Sequence, residues 1–500
     1  MELRANYRVL AVLAISTALC FLAAACLFGG YGYLQLRPLP TPTLSFLDSV
    51  RATATFQALE SAAHPTATST PSPTSTITLS PTPEPTATST AEPTEPPTAP
   101  VTPAVVAATV QPSQPRPTNT PVPTPTTVPV PPPTTSLTRG PFLQSLTSNS
   151  IIIAWSTSGD VDSVVEYGPT EGYGSVAADY NWTSRHAMTL SGLSTHTVYH
   201  YRVRTSTQVL SGDSTFKTAP DSGQTPFTFV VLGDTHAGFH PDTDGRYWSQ
   251  ADQGHRAAVG RIMLINPDFY LHAGDLTHYG YDPEAWDDFF AIEGGLMSRI
   301  TLFPTPGEQD GKSYYGGIAD PIGGRHQTYF DTFYLPNNER WYSFDYGNAH
   351  FISLRIDGST EDISPGSEQY RWLENDLAST NKVWKIAFFH YPPYSYGPTG
   401  SKPEARQIHQ LFTKYGVRLV ISANDRNYQR FVVDGVTYIV TGGGGGKTGD
   451  LTGGSEFPPV YMEETKHVMK VTISGNTLSS VAIRSDPEGS EMDPFTLTAS

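Results

Sequence analysis

The chain has 500 residues, 47 acidic against 31 basic, for a formal net charge of −16. Residues 1–140 carry six acids and six bases, so the whole excess falls on residues 141–500. That acidity argues against a nucleic-acid-binding surface, which needs a basic face. The only cysteines, Cys20 and Cys26, lie near the N-terminus, which excludes a disulfide scaffold or a cysteine zinc site from everything after them.

Val9 to Phe28 is a run of twenty residues without a charge, preceded by Arg4 and Arg8. At about 1.5 Å per residue such a run crosses a hydrocarbon core of about 30 Å. Arginines on its N-terminal side favour an N-in, C-out orientation. Residues 1–37 are expected to be a membrane anchor or signal segment. Three readings compete: an uncleaved signal anchor, a signal peptide cut near Ala23-Ala24-Ala25, and a lipoprotein acylated at Cys26. All three export the rest of the chain, as a single-pass, secreted or lipid-anchored extracellular part.

Residues 38–133 hold 24 of the 44 prolines, interleaved with Thr, Ser and Ala, and contain no Trp. Such a stretch cannot bury enough apolar surface to offset its ordering entropy. Residues 38–135 are therefore expected to be a disordered stalk, with an upper reach on the order of 300 Å in polyproline II.

Short β-branched and aromatic runs follow, divided by Gly, Ser, Asn and Asp. Ser150-Ile-Ile-Ile-Ala-Trp155, Asp162-Ser-Val-Val-Glu-Tyr167 and Val198-Tyr-His-Tyr-Arg-Val-Arg204 predict an all-β sandwich over residues 136–221. From residue 226 the runs become continuously apolar, as buried strands do. They are Phe227–Leu232, Asp268–Ala273, Ile300–Phe303, His350–Leu354, Trp384–Phe389, Val417–Ile421 and Val436–Val440. Helices are predicted after Asp282-Pro283-Glu284 and over Glu368–Leu377. Strands alternating with helices over residues 226–500 imply a large layered α/β domain.

The loops after these strands carry the chemistry. Gly233-Asp-Thr-His236 offers a carboxylate and an imidazole two apart, Gly274-Asp275 follows the next strand, and His390 ends a later one. Oxygen and nitrogen donors on successive strand ends suit a pair of cations about 3.5–4 Å apart that activate water and clamp phosphoryl oxygens. A second feature, Gly442 to Thr448, approaches a phosphate-cradling loop, but Thr441 stands where its first glycine belongs, so a return loop is expected.

The ordered set resembles the calcineurin-like metallophosphoesterases, in their purple acid phosphatase branch. Tyr329-Phe-Asp-Thr-Phe-Tyr-Leu-Pro336, Trp341–Phe351, Gln369–Glu374 and Tyr438–Gly444 extend the resemblance beyond the motifs. Arg139–Gln144, Trp155, His186–Leu193 and Phe216–Pro220 resemble the fibronectin type III-like domain that precedes the catalytic domain in that branch. The resemblance implies a four-layer αββα sandwich with two metals at the strand ends.

The departures matter as much as the match. Asp234, His236, Asp275 and His390 keep the family pattern, but its Gly-Asn-His element reads Gly307-Glu308-Gln309 and its Gly-His-x-His element reads Ala423-Asn424-Asp425-Arg426. Gln309 cannot deliver the proton that the family's histidine would. Arg426 offers only donors and cannot ligate a cation, so it is expected to pair with Asp234 or Asp275 and take over the first metal's charge. Asp275, Glu308, His390 and Asn424 remain as a poorer second site. At most one divalent or trivalent ion (Fe, Zn or Mn) is expected. His240 and His278 stand near the motifs as replacements for the missing acid. The expectation is an impaired phosphoesterase whose cleft binds a phosphorylated small molecule or surface polymer. An active one-metal phosphomonoesterase or phosphodiesterase, and a structural surface stalk, are the alternatives.

Overall fold

The computed structural model describes residues 134–223, 226–238, 246–312, 326–358 and 362–499. The expected anchor, the stalk up to residue 133 and His240 lie outside the described residues. Among the described residues no helix is long and apolar enough to cross a membrane.

The first element group is entirely β and antiparallel: β1 (Leu137–Gln144), β2 (Ser150–Gly168), β3 (Ser175–Ser191), β4 (Val198–Arg204) and β5 (Ser214–Lys217). Two strands expected separately, at 150–155 and 162–167, are the halves of β2. Its first half pairs with β1 and with residues 185–191 of β3; its second half pairs with residues 175–179 of β3 and with β4. Register shifts around Ser156, Val161 and Ser163 separate the halves. Bulges of this kind raise local twist and bend a strand without ending it, so one ribbon serves both parts. Trp155 is buried there, stacked on His186 at 4.8 Å between ring centroids.

The remaining elements are β6 (Phe227–Leu232), α1 (Arg246–Ile265), β7 (Phe269–His272), α2 (Pro283–Met297), β8 (Thr301–Pro304), a 3-10 turn (Gln309–Gly311), α3 (Gln327–Thr332), β9 (Tyr342–Tyr346), β10 (Ala349–Ser353), α4 (Glu368–Ser379), β11 (Trp384–Phe388), α5 (Pro403–Arg406), α6 (His409–Tyr415), β12 (Leu419–Ser422), β13 (Tyr428–Val433), β14 (Val436–Thr441), β15 (Tyr461–Glu463), β16 (His467–Ser474), β17 (Thr477–Arg484) and β18 (Glu491–Thr498). The seven apolar runs read from the sequence coincide with β6, β7, β8, β10, β11, β12 and β14. Two sheets result, ordered β15-β13-β14-β12-β11-β10-β9 and β18-β17-β16-β6-β7-β8.

The sheets stack through aromatic side chains. Phe303 lies on Phe344 at 3.7 Å between centroids, and Phe229 meets Phe351 edge-on at 5.1 Å. Alternate residues of each strand face the other way, which is why these runs are apolar throughout. Ala387, Phe389 and Val420 pack under α4 and α6, against Leu373, Leu377 and Phe412. On the opposite sheet the Tyr270 hydroxyl reaches Glu293 of α2 at 2.6 Å. Helices thus cover both outer faces. Pro283 starts α2, but the Asp282 side chain makes no cap bond; Ser367 does cap α4, accepting from the Tyr370 amide at 3.2 Å.

The two parts are fastened together. Buried Gln144 donates to the Leu302 carbonyl at 3.2 Å, the Tyr201 hydroxyl donates to the Ser298 carbonyl at 2.7 Å, and Arg139 pairs with Asp287 at 2.7 Å. Phe142 packs on Phe290 with centroids 5.0 Å apart, so one apolar core runs across the junction.

Candidate metal centre

Strands β6, β7 and β8 are mutually parallel, as are β10, β11, β12 and β14. Their C-terminal ends deliver the chemistry-bearing loops to one rim, where open α/β sheets bind ligands. The loops after β6 and β7 zip together: the Asp234, His236 and Ala237 amides donate to the carbonyls of Gly274, Asp275 and Leu276 at 3.0, 3.1 and 3.0 Å. Asp234, His236, Asp275, Asn424 and Arg426 all hold left-handed backbone, with φ of 57°, 49°, 55°, 69° and 52°. Residues other than glycine rarely adopt it, and such strain persists where surrounding contacts over-determine the geometry.

Asp234, Asp275 and His390 each offer a donor atom within 4.8 Å of the others. The Asp275 carboxylate lies 3.3 Å from His390 Nε2 and 3.7 Å from His236 Nε2, and Asp234 Oδ1 lies 3.5 Å from His236 Nε2. Bonds of about 2.0–2.1 Å to a tetrahedral zinc place neighbouring donors roughly 3.3–3.4 Å apart. Both Asp234 oxygens and His390 Nε2 are buried without a hydrogen-bond partner. Buried polar atoms are ordinarily satisfied, and these orphans converge. The donor set and its spacing fit a single divalent ion.

Neighbouring groups orient the donors. His390 Nδ1 donates to the Ala273 carbonyl at 2.9 Å, which leaves Nε2 facing the carboxylates. His236 Nδ1 lies 3.2 Å from Nδ1 of the half-buried His278. A free lone pair on His236 Nε2 requires its proton on Nδ1, donated to His278. Burial opposes charge at His390, but Asp275 and Asp234 outweigh it and push its pKa up to about 10. Burial likewise raises Asp275, yet His390 and His236 prevail and hold it well below the carboxylate range. Asp234 is pushed up, chiefly by burial. A cation competes with the imidazole proton for the same atoms.

The other expected ligands point elsewhere. Glu308 accepts from the Tyr391 hydroxyl, from Gln309 Nε2 at 2.9 Å and from Lys312 Nζ at 2.8 Å. Burial and Asp275 raise its pKa, but Lys312 and Tyr391 leave it net lowered. Asn424 donates to Thr399 Oγ1 at 2.6 Å. Gln309 uses its backbone amide to hold Asp275 Oδ1 at 2.8 Å.

The expected pairing of Arg426 with Asp234 or Asp275 does not occur. Among the described residues its guanidinium makes no ion pair, and its buried Nε has no hydrogen-bond partner. The Arg426 backbone does pass close to Asp234: a Cβ on Gly442 would collide with Asp234 Oδ2 and lie 2.7 Å from the Arg426 amide. Asp275 is already surrounded by His390, His236 and the Gln309 amide.

Sequence reasoning missed the wall of the site. The glycine run 442–446 was expected to be a plain return loop after β14. Instead the Gly444 and Gly446 amides donate to Gly233 and Asp234 carbonyls at 2.9 Å each, and a Cβ on Gly446 would lie 2.7 Å from His236 Cδ2. Tyr391, Lys312 and Asp310 were also missed. Buried Asp310 accepts from the Thr277 amide at 2.9 Å and the Gly307 amide at 2.8 Å, tying the loops after β7 and β8. The run of glycines and the Tyr beside His390 were the available signals.

Comparison with known proteins places the chain among related folds. Residues 227–423 match the calcineurin-like phosphoesterase family. "Probable purple acid phosphatase 20" of Arabidopsis thaliana is 27% identical over 314 residues, covering 56% of this chain and 65% of that one. "Probable inactive purple acid phosphatase 27" of the same plant is 29% identical over 272 residues, 49% of this chain and 43% of that one. The chain thus spans less than two thirds of the length of either relative. The purple acid phosphatase PPD1 of yellow lupin shares the fold, with a TM-score of 0.61 at 21% identity over 72% of this chain and 74% of that one. With a parallel-stranded rim and converging donors, the chain matches the calcineurin-like phosphoesterase family over residues 227–423 and is similar to purple acid phosphatases.

Proposed function

We propose that this protein is an exported, membrane-anchored phosphoesterase relative whose domain holds one cation at most and hydrolyses phosphoesters weakly or not at all. Its cleft then serves to bind a phosphorylated small molecule or surface polymer outside the cell. One observation carries the reading. Around Asp275, both Asp234 carboxylate oxygens and His390 Nε2 are buried and unpartnered, while Glu308 and Asn424 are engaged with Lys312, Tyr391 and Thr399. Donors for one ion converge, and those for a second are occupied.

A cation on Asp234, His236, Asp275 and His390 would supply Lewis-acid polarisation of a phosphoryl oxygen. The chain's own groups supply less than hydrolysis asks. Gln309 has no proton to give a leaving group, and general acid catalysis is typically worth about 10²–10⁴ in rate. His278 hydrogen-bonds a ligand and so orients it. Of the two plant relatives, one is named a probable inactive purple acid phosphatase and the other is not, which supports a weak or absent activity as one of the outcomes open to such a chain.

Elemental analysis of the full-length protein combined with 4-nitrophenyl phosphate hydrolysis tests the proposal. The expected result is no more than one Zn, Fe or Mn per chain and turnover orders of magnitude below typical enzymes. Two ions per chain, or turnover in the usual range of about 1–10³ per second, would overturn it.

A further inference from the structure

Arg426 has no task in the one-cation reading. Its side chain is partly buried, and its Nε is fully so, without any hydrogen-bond partner. The stem passes the glycine loop beside the metal ligands: a Cβ on Gly446 would lie 3.5 Å from Arg426 Cδ and 2.7 Å from His236 Cδ2. The backbone under it is fixed in a left-handed turn, with φ 52°. Gly449 donates to the Arg426 carbonyl at 2.9 Å, and Gly442 donates to that of Asn427 at 3.1 Å. The arginine is therefore held beside Asp234 and His236 and yet, among the described residues, makes no ion pair.

A guanidinium is always charged and presents a planar fork of donors that matches a tetrahedral oxyanion in bidentate fashion. A buried donor without an acceptor is costly, and an incoming acceptor relieves that cost. Asp234 and Asp275 would repel an anion on their own, but a single cation between them neutralises that field. What remains is one cation and one guanidinium on neighbouring walls of the same rim, an arrangement suited to one tetrahedral oxyanion.

We propose that Arg426 is the oxyanion receptor of this cleft, its guanidinium gripping two non-bridging oxygens of a terminal phosphate where a second metal ion would otherwise stand. The proposal rests on the one-cation reading and deepens it by naming the ligand class, a dianionic phosphate. Arg426 acts in binding only and transfers no proton.

The test is calorimetric titration of inorganic phosphate into the full-length protein, chelator-stripped and zinc-loaded, as wild type, Arg426→Ala and Arg426→Lys. Zinc content is measured on each sample. Phosphate should bind the wild type in both states, more tightly with zinc. Arg426→Ala should weaken binding at least tenfold in both states with zinc content unchanged, and Arg426→Lys should recover part of it, because the charge returns without the fork. If Arg426→Ala does not fold, the lysine variant decides: affinity equal to wild type refutes the bidentate grip. Phosphate binding that is absent in the wild type, or untouched in Arg426→Ala, overturns the proposal. So does weakening that merely follows zinc loss. Two zinc ions in the wild type would instead break the one-cation reading, leaving the phosphate titration to judge Arg426 by itself. Phenyl phosphate in the same titrations separates esterified from free phosphate, and a tenfold dependence on Arg426 with either one upholds the receptor.

Discussion

Two histidine–carboxylate clusters sit at opposite ends of the same sheet, and they are built differently. At the start of β10, His350 is clasped by Asp345 at Nδ1 and Asp376 at Nε2, both at 2.7 Å. Past the end of β11, His390 faces Asp275 at 3.3 Å, and His236 stands 3.5 Å from Asp234. The first set of distances belongs to hydrogen bonds. The second set is longer and suits donors arranged around a cation, and both Asp234 oxygens and His390 Nε2 stay without a hydrogen-bond partner. Residue types alone do not separate the two, because each offers imidazole and two carboxylates. Spacing and satisfaction do.

The hardest blow to this contrast comes from changing the four rim positions that depart from the family pattern. Changing Glu308→Asn, Gln309→His, Asn424→His and Arg426→His together should raise metal content to two ions and increase phosphomonoester hydrolysis by several orders of magnitude. Each tenfold step corresponds to about 1.4 kcal/mol of barrier. Any one of the four alone should do little, since groups acting as a unit are non-additive. Activity that stays flat despite two bound ions would show that the loss lies outside these positions.

Removing the shared carboxylate breaks the contrast from the other side. Asp275→Ala should abolish tight metal binding, whereas Asp376→Ala, at the satisfied cluster, should leave metal content unchanged. Elemental analysis after dialysis against a chelator reads both. Retained metal in Asp275→Ala would remove Asp275 from the centre of the site.

The satisfied cluster should instead show itself in the pH dependence of stability. Burial opposes charge at His350, but Asp345 and Asp376 push its pKa up to about 9. A folded-state pKa above the unfolded value of about 6.5 stabilises fully below pH 6.5 and fades as pH rises through 9. The shift corresponds to on the order of 3 kcal/mol. Urea unfolding of wild type and His350→Gln should therefore differ most near pH 6 and converge by pH 10. A constant difference across that range would mean that the imidazole charge is not what holds Asp345 and Asp376.

The smallest expected effect concerns the bond behind His236. His278→Ala should weaken zinc binding by about 10–100-fold, the usual consequence of losing a group that orients a ligand. An unchanged affinity, measured by competition with a chromogenic chelator, would show that His236 is held by its left-handed turn alone.

Much of this protein was legible in its residue order. Apolar runs long enough for one strand each and bounded by Gly-Asp, Gly-Glu or His-Tyr-Pro predicted the parallel strands, because buried strands must be apolar on both faces. Asp234, His236, Asp275 and His390 were legible because each ends such a run. The continuous β2 was not, since a bulge preserves pairing while mimicking a turn in sequence. The fate of Glu308, Asn424 and Arg426 was not legible either. Residue chemistry said what each was able to do, but Lys312, Tyr391 and Thr399 come from other positions in the chain and decide what Glu308 and Asn424 are free to do. The absence of an Arg426–Asp234 pair was equally illegible, because the backbone turn at Arg426 and not the chemistry of its side chain sets where the guanidinium goes. Side-chain identity settles the available donors and acceptors. Only packing settles which of them meet, because distances of a few tenths of an ångström separate a hydrogen bond from a metal site.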